Sequence, residues 1–213
     1  MFKNLFLFAH LLVMVLSTVA SAADSYGDMV AAVKTGNVPV VKALLAKGVD
    51  VDLTDPIGST LLITAADEGQ LETVRVLLAA KAKINARNQY GETALMMAAI
   101  RGHRPVVEYL ISQGADINQE GWTALMFAAV KGHADIARLL IAKGAKVDAL
   151  SSNGTTALML AAKEGNLDTV LVLLEHGAAV NLRSQANVTA LGLAQQGHRK
   201  DVVTALLRAG AEQ

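Results

Sequence analysis

The chain has 213 residues, 53% of them hydrophobic, with 19 basic and 19 acidic side chains. A net charge of zero argues against a nucleic-acid binder, which carries a basic surplus. The absence of cysteine excludes disulfides, thiolate metal sites and thiol nucleophiles. The length suffices for one substantial core.

The first element is a greasy leader, MFKNLFLFAHLLVMVLSTVASAAD. Lys3 supplies a short positive start, Leu5 to Leu16 is apolar except for His10, and Ala20-Ser21-Ala22 fits a small-x-small cleavage site. The apolar run is shorter than the ~20 residues of a spanning helix. His10 would be costly at bilayer depth in a retained anchor. No cysteine is present to carry a lipid. The leader therefore reads as a signal peptide over residues 1–22, cleaved after Ala22, with a mature domain over 23–213. The expected location is periplasmic or secreted, with no membrane contact after cleavage. A cysteine-free exported chain suits an oxidising compartment.

Beyond the leader the chain repeats itself. GETALMMAA (Gly91 to Ala99) returns as GWTALMFAA (Gly121 to Ala129) and as GTTALMLAA (Gly154 to Ala162). The threonines Thr60, Thr93, Thr123, Thr156 and Thr189 step by 33, 30, 33 and 33 residues. Leucine pairs and Gly-Ala stops keep similar time, at Leu139-Leu140 and Gly144-Ala145 for example. A fixed period of this size marks a stack of like supersecondary units.

One unit can be read locally. Thr123 is a helix N-cap, its hydroxyl accepting from free backbone N–H groups. ALMFAAV makes about two turns, Ala128-Ala129 allows close approach, and Gly132 ends the helix in a left-handed conformation. A second helix, Asp135 to Lys143, points Ile136, Leu139 and Leu140 one way, and Gly144 stops it. Neither helix reaches the ~12–15 residues needed to stand alone. Each unit must lean on its neighbours, giving a linear all-α solenoid.

At this point the residues resemble the ankyrin-repeat family, whose pattern is G-x-T-P-L-H-x-A-A-x-x-G-H, then V-x-x-L-L, then G-A-D-V-N. The third unit reads GETALMMAAIRGHRPVVEYLISQGADIN, Gly91 to Asn118, and the resemblance runs from about Met29 to Ala211. It implies a curved stack of about six repeats, each a pair of short antiparallel helices with a projecting β-turn finger, the first and last repeats acting as caps. Departures from the pattern mark individual positions. Alanine and methionine replace the family's proline and histidine at Ala94/Met96, Ala124/Met126 and Ala157/Met159, so packing replaces a hydrogen bond. Lys81 stands at a helix-stop glycine and Asn187 at a finger glycine. The step of 30 removes three residues between Asn118 and Gly121, leaving one stubby finger. Gly27 replaces the first unit's threonine. Gln195, Arg199, Lys200 and Arg208 give the last unit a polar side suited to a cap, which argues for a monomer.

Enzyme signatures are absent: there is no H-E-x-x-H, no G-x-S-x-G, no phosphate loop and no metal-spaced histidine cluster. No cofactor or metal is indicated. His103 and His133 follow the mid-unit glycine one repeat apart, about 10 Å by helix-packing distance, and each reads as making a local hydrogen bond at a turn. Asp67-Glu68 and Lys163-Glu164 read as solvated helix ends or partner contacts. What the resemblance implies about function is protein binding, through finger tips and the exposed edge of the first helix. Carried onto this chain, those positions give a partner surface of Tyr90, Glu92, Ile100, Arg101, Trp122, Val130, Lys131, Thr155 and Lys163. Aromatic and arginine residues are what interface hot spots favour, and the missing residues should open a groove beside Trp122. Local opening is expected to start at Lys81 and at the stubby finger. The expected function is thus an exported interaction module for a protein partner. An alternative is an inhibitor or immunity protein that plugs a toxic enzyme. A further one is an enzyme with an unrecognised site involving Glu164 or His133.

Overall fold

The computed structural model describes residues 26–212; the leader assigned to 1–22 lies outside the described residues. Twelve helices are present among them. They are α1 (26–35), α2 (Val38–Ala46), α3 (Leu61–Asp67), α4 (Leu71–Ala79), α5 (Ala94–Arg101), α6 (Arg104–Ser112), α7 (Ala124–Lys131), α8 (Ala134–Ala142), α9 (Ala157–Glu164), α10 (Leu167–Glu175), α11 (Ala190–Gln196) and α12 (Lys200–Arg208). There is no strand among the described residues, only an isolated bridge between Thr54 and Thr60. Successive helices pair within a unit. The first helices of consecutive units pack in one layer and the second helices in another. This is an all-α solenoid of six helix pairs.

Each first helix from α3 onward begins as its threonine dictates. The side chains of Thr60, Thr93, Thr123, Thr156 and Thr189 accept from the N–H groups of Ile63, Met96, Met126, Met159 and Gly192. Methionine fills the family's histidine position by burial: Met96, Met126 and Met159 are all inside the core. The second helix of the fourth unit starts one residue earlier than expected, at Ala134, and ends at Ala142. Its inward face is Ile136, Ala137 and Leu140, with Leu139 only half-buried. A helix packed on both its partner helix and its neighbouring units buries adjacent positions, so the stripe is broader than a single i, i+3, i+4 line.

Three non-glycine residues stand in the left-handed region: Lys81 at φ 69°, Asn187 at 58° and His198 at 54°. The first two fall where the repeat places glycine. His198 is unanticipated, because Gly197 sits one residue early and takes an ordinary φ of −80°.

Two ladders of polar bonds stitch the units together. In one, the N-cap residue of a second helix reaches back to the end of the preceding first helix. Gln70 Nε2 donates to Lys34 O, Asn166 Nδ2 to Val130 O and Arg199 Nε to Lys163 O, while His103 Nε2 meets Asp67 O at 2.9 Å and His133 Nε2 meets Ile100 O at 3.1 Å. The two histidines do make hydrogen bonds, but not the local turn bonds expected: each ring reaches a carbonyl of the preceding unit, because the N-cap position faces the neighbouring first helix. In the other ladder, Asp52, Asn85, Asn118, Asp148 and Asn181 each accept, through Oδ1, a backbone N–H of the next unit.

Three buried side-chain polar atoms among the described residues have no partner: Gln119 Oε1 and two hydroxyls within the helix layers. The hydroxyls of Thr73 and Thr169 are fully buried and make no hydrogen bond. They occupy the third position of α4 and α10, where α6, α8 and α12 carry Val106, Ile136 and Val202. A buried unpaired hydroxyl costs its desolvation, so Thr73→Val and Thr169→Val should each raise stability by about 1 kcal/mol. Urea unfolding of the two variants checks this; unchanged midpoints would mean that both hydroxyls are satisfied in solution.

Candidate functional site

Four fingers close as small turns. Asp55 N donates to Ser59 O, Asn88 N to Glu92 O, Ser151 N to Thr155 O and Ser184 N to Val188 O. Neighbouring fingers are then tied tip to tip, by Gln89 N to Ile57 O and by Gln185 N to Asn153 O. The third finger, around Gly121, lacks both kinds of bond among the described residues. The three missing residues thus divide the finger row into two linked pairs with a break between them.

A cleft lies at one side of this break. It is lined by Tyr90, Gly91 and Glu92 of the second finger, Trp122 of the third, and Met96 and Phe127 of α5 and α7. Tyr90 is 68% exposed and Trp122 40%, against 3% for Met96, so two accessible rings rise over an apolar floor. Trp122 rests against Phe127, with ring centroids 5.3 Å apart and a tilt of 51°. That arrangement lies within the favourable range for aromatic pairs and holds the indole in place. Glu92 is oriented as well, its Oε2 accepting from Asn88 Nδ2 at 2.8 Å.

The structure brings Tyr90, Glu92 and Trp122 together around one cleft, and the other six candidates stand outside its lining. Ile100 and Val130 are half-buried on α5 and α7, and Lys131 and Lys163 are exposed at helix ends. Thr155 is half-buried and bonds within its own finger, through Oγ1 to Asn153 Oδ1. Arg101 is exposed but held: its Nε and second guanidinium nitrogen reach Asp67 Oδ1 and Oδ2 at 2.7 and 3.1 Å. That bond and the Asp67 charge raise the guanidinium's pKa above its ordinary value. Such bidentate pairing fixes geometry, so Arg101 presents a guanidinium already paired with the last residue of α3. Phe127 and Met96 were not among the candidates, and both line the cleft.

A family model of ankyrin repeats (3 copies) matches this chain over residues 29–120, 80–150, 116–184 and 146–213, which together cover nearly all described residues. The chain belongs to the ankyrin-repeat family. Ankyrin repeats generally mediate protein–protein interaction and are typically not enzymes. Among curated proteins, none matches the chain. No helix among the described residues is long and apolar enough to cross a membrane.

Proposed function

We propose that this ankyrin-repeat chain is an exported, monomeric interaction module that binds a protein partner through the groove between its fingers and first-helix edges. The observation that carries the reading is the pair of accessible rings, Tyr90 and Trp122, standing over an apolar floor at the break in the finger row. An aromatic side chain already held in place, as Trp122 is by Phe127, contributes large contact area for little loss of freedom, which is how interface anchors work. Ile100, Val130, Lys131, Thr155 and Lys163 extend the surface along the helix edges, and Arg101 contributes as an Asp67-bound planar group. Export rests on the leader over 1–22 and its cleavage after Ala22.

The test is capture from envelope extract of the source cell, with the tagged chain beside a Tyr90→Ala/Trp122→Ala variant. Tyr90 is largely solvent-facing and neither ring belongs to the buried core, so the variant should keep the fold. A protein held by the wild type and lost by the variant supports the groove. Equal retention by both would overturn it. Sequencing the recovered bait checks export: a start at Ala23 supports cleavage, and a start at Met1 refutes it.

A further inference from the structure

The cleft beside Trp122 has a volume of about 210 Å³. Sites for drug-sized ligands run from roughly 300 Å³ upward, so this one suits a single long side chain. Among its lining residues Glu92 carries the only charge and no basic group is present. The adjoining cleft shares Glu92 and adds Asp55, Asp67 and Glu68 against the single basic residue Lys34. Asp67 is already engaged by Arg101, which also feels the Glu68 charge; Asp55, Glu68 and Glu92 still outnumber Lys34 and keep this end of the groove negative. An acidic segment laid here would be repelled. A purely apolar side chain seated in the Trp122 cleft would shield the Glu92 carboxylate from water without compensation. A cation meets both demands. It is attracted to the face of an aromatic ring within ~6 Å of the centroid, and the carboxylate beside the rings neutralises it.

We propose that the Tyr90–Trp122 cleft is the receptor for one lysine or arginine side chain of the protein partner, presented from a basic extended segment that runs along the fingers past Glu68 and Asp55. The inference rests on the finger groove being the partner-binding surface. It assigns the partner's chemistry and the anchor's place. Asn88 contributes by positioning: its amide fixes one oxygen of Glu92 and leaves the other for the incoming cation.

Trp122 is the chain's only tryptophan, so its fluorescence reports on the cleft alone. The purified chain is titrated with a peptide of alternating glycine and lysine, and with counterparts in which norleucine or glutamate replaces lysine. The lysine peptide should give a saturable change in emission, with the norleucine peptide about tenfold weaker and the glutamate peptide silent. Glu92→Gln preserves side-chain shape and should weaken the lysine peptide about tenfold while strengthening the norleucine peptide, which no longer buries a carboxylate. Norleucine binding as well as lysine, lysine binding that Glu92→Gln does not weaken, or no saturable change with any peptide would each overturn the proposal. The first of these leaves the cleft standing as an interaction site for an apolar anchor. Failure of the groove itself shows separately, as equal capture by the wild type and the Tyr90→Ala/Trp122→Ala variant.

Discussion

Replacing Gly69 by alanine is expected to destabilise the protein by about 2–4 kcal/mol, while the same replacement at Gly114 costs about 1–2 kcal/mol. Both glycines are left-handed, at φ 71° and 89°, so both substitutions incur the strain of a Cβ in that conformation. They differ in what the Cβ meets. At Gly114 nothing lies within 4 Å, whereas at Gly69 the Cβ would stand 2.6, 2.7 and 2.8 Å from Nδ1, Cε1 and Cγ of His103. The ring would have to leave, and its bond to Asp67 O would go with it. The same stacking recurs up the solenoid, with Gln70 over Gly36, His133 over Gly102, Asn166 over Gly132 and Arg199 over Gly165. Urea unfolding of both variants, repeated in a His103→Ala background, isolates the effect. The excess cost at Gly69 should vanish once the ring is gone. Equal costs at the two glycines in the wild-type background would show that the ring yields freely.

Much of this architecture is legible in the sequence because its causes are local. A threonine before an apolar run caps a helix whatever surrounds it, and five threonines in step give the repeat. The stubby finger follows from counting. The stitching between units is less legible because its donors share a role but not a residue type: glutamine, histidine, asparagine and arginine all perform it. No column of like residues announces such a ladder. His198 shows a related difficulty. The core sets the register, since Ala194 and Val202 are spaced as Ala128 and Ile136 are, and the chain between must follow even though Gly197 falls one residue early.

The candidate surface divides along the same line. Tyr90 and Trp122 can be found by position on the fingers, where large rings have no core to enter. Phe127 escaped because its column, Thr64, Met97, Leu160 and Leu193, reads as helix packing. Yet it is the one aromatic there, five residues after Trp122, and that was a usable signal. The pairing of Arg101 is hidden for the opposite reason. Its partner Asp67 lies 34 residues back, a diagonal step between adjacent units rather than a position in its own column. The cleft therefore owes its single charge to Glu92, and the basic residues nearby in sequence do not line it.

Asn118→Ala should cost about 1–2 kcal/mol, roughly twice the cost of Asn85→Ala, by the count of bonds lost. Asn85 makes one inter-unit bond, accepting from Asp116 N at 2.9 Å. Asn118 makes two, accepting from Lys146 N at 2.8 Å and donating to Gly144 O at 2.9 Å. It does so where the short third finger has neither a turn bond of its own nor a bond to a neighbouring finger. Among the described helices α5 and α7 pack most extensively, so local opening at this junction is expected in the finger rather than in the helix layer beneath. Aspartate separates the two contributions. Asp52 and Asp148 hold the same column and accept the same kind of bond, so Asn118→Asp keeps the Lys146 bond and sets a carboxylate oxygen against the Gly144 carbonyl. Amide exchange at Lys146 should quicken in Asn118→Ala and stay slow in Asn118→Asp, with both variants losing stability in urea. Unchanged exchange at Lys146 in Asn118→Ala would mean that the side chain does not tie the units. The finger bearing Trp122 would then rest on the indole's contact with Phe127 and on the Asn85–Asp116 bond behind it.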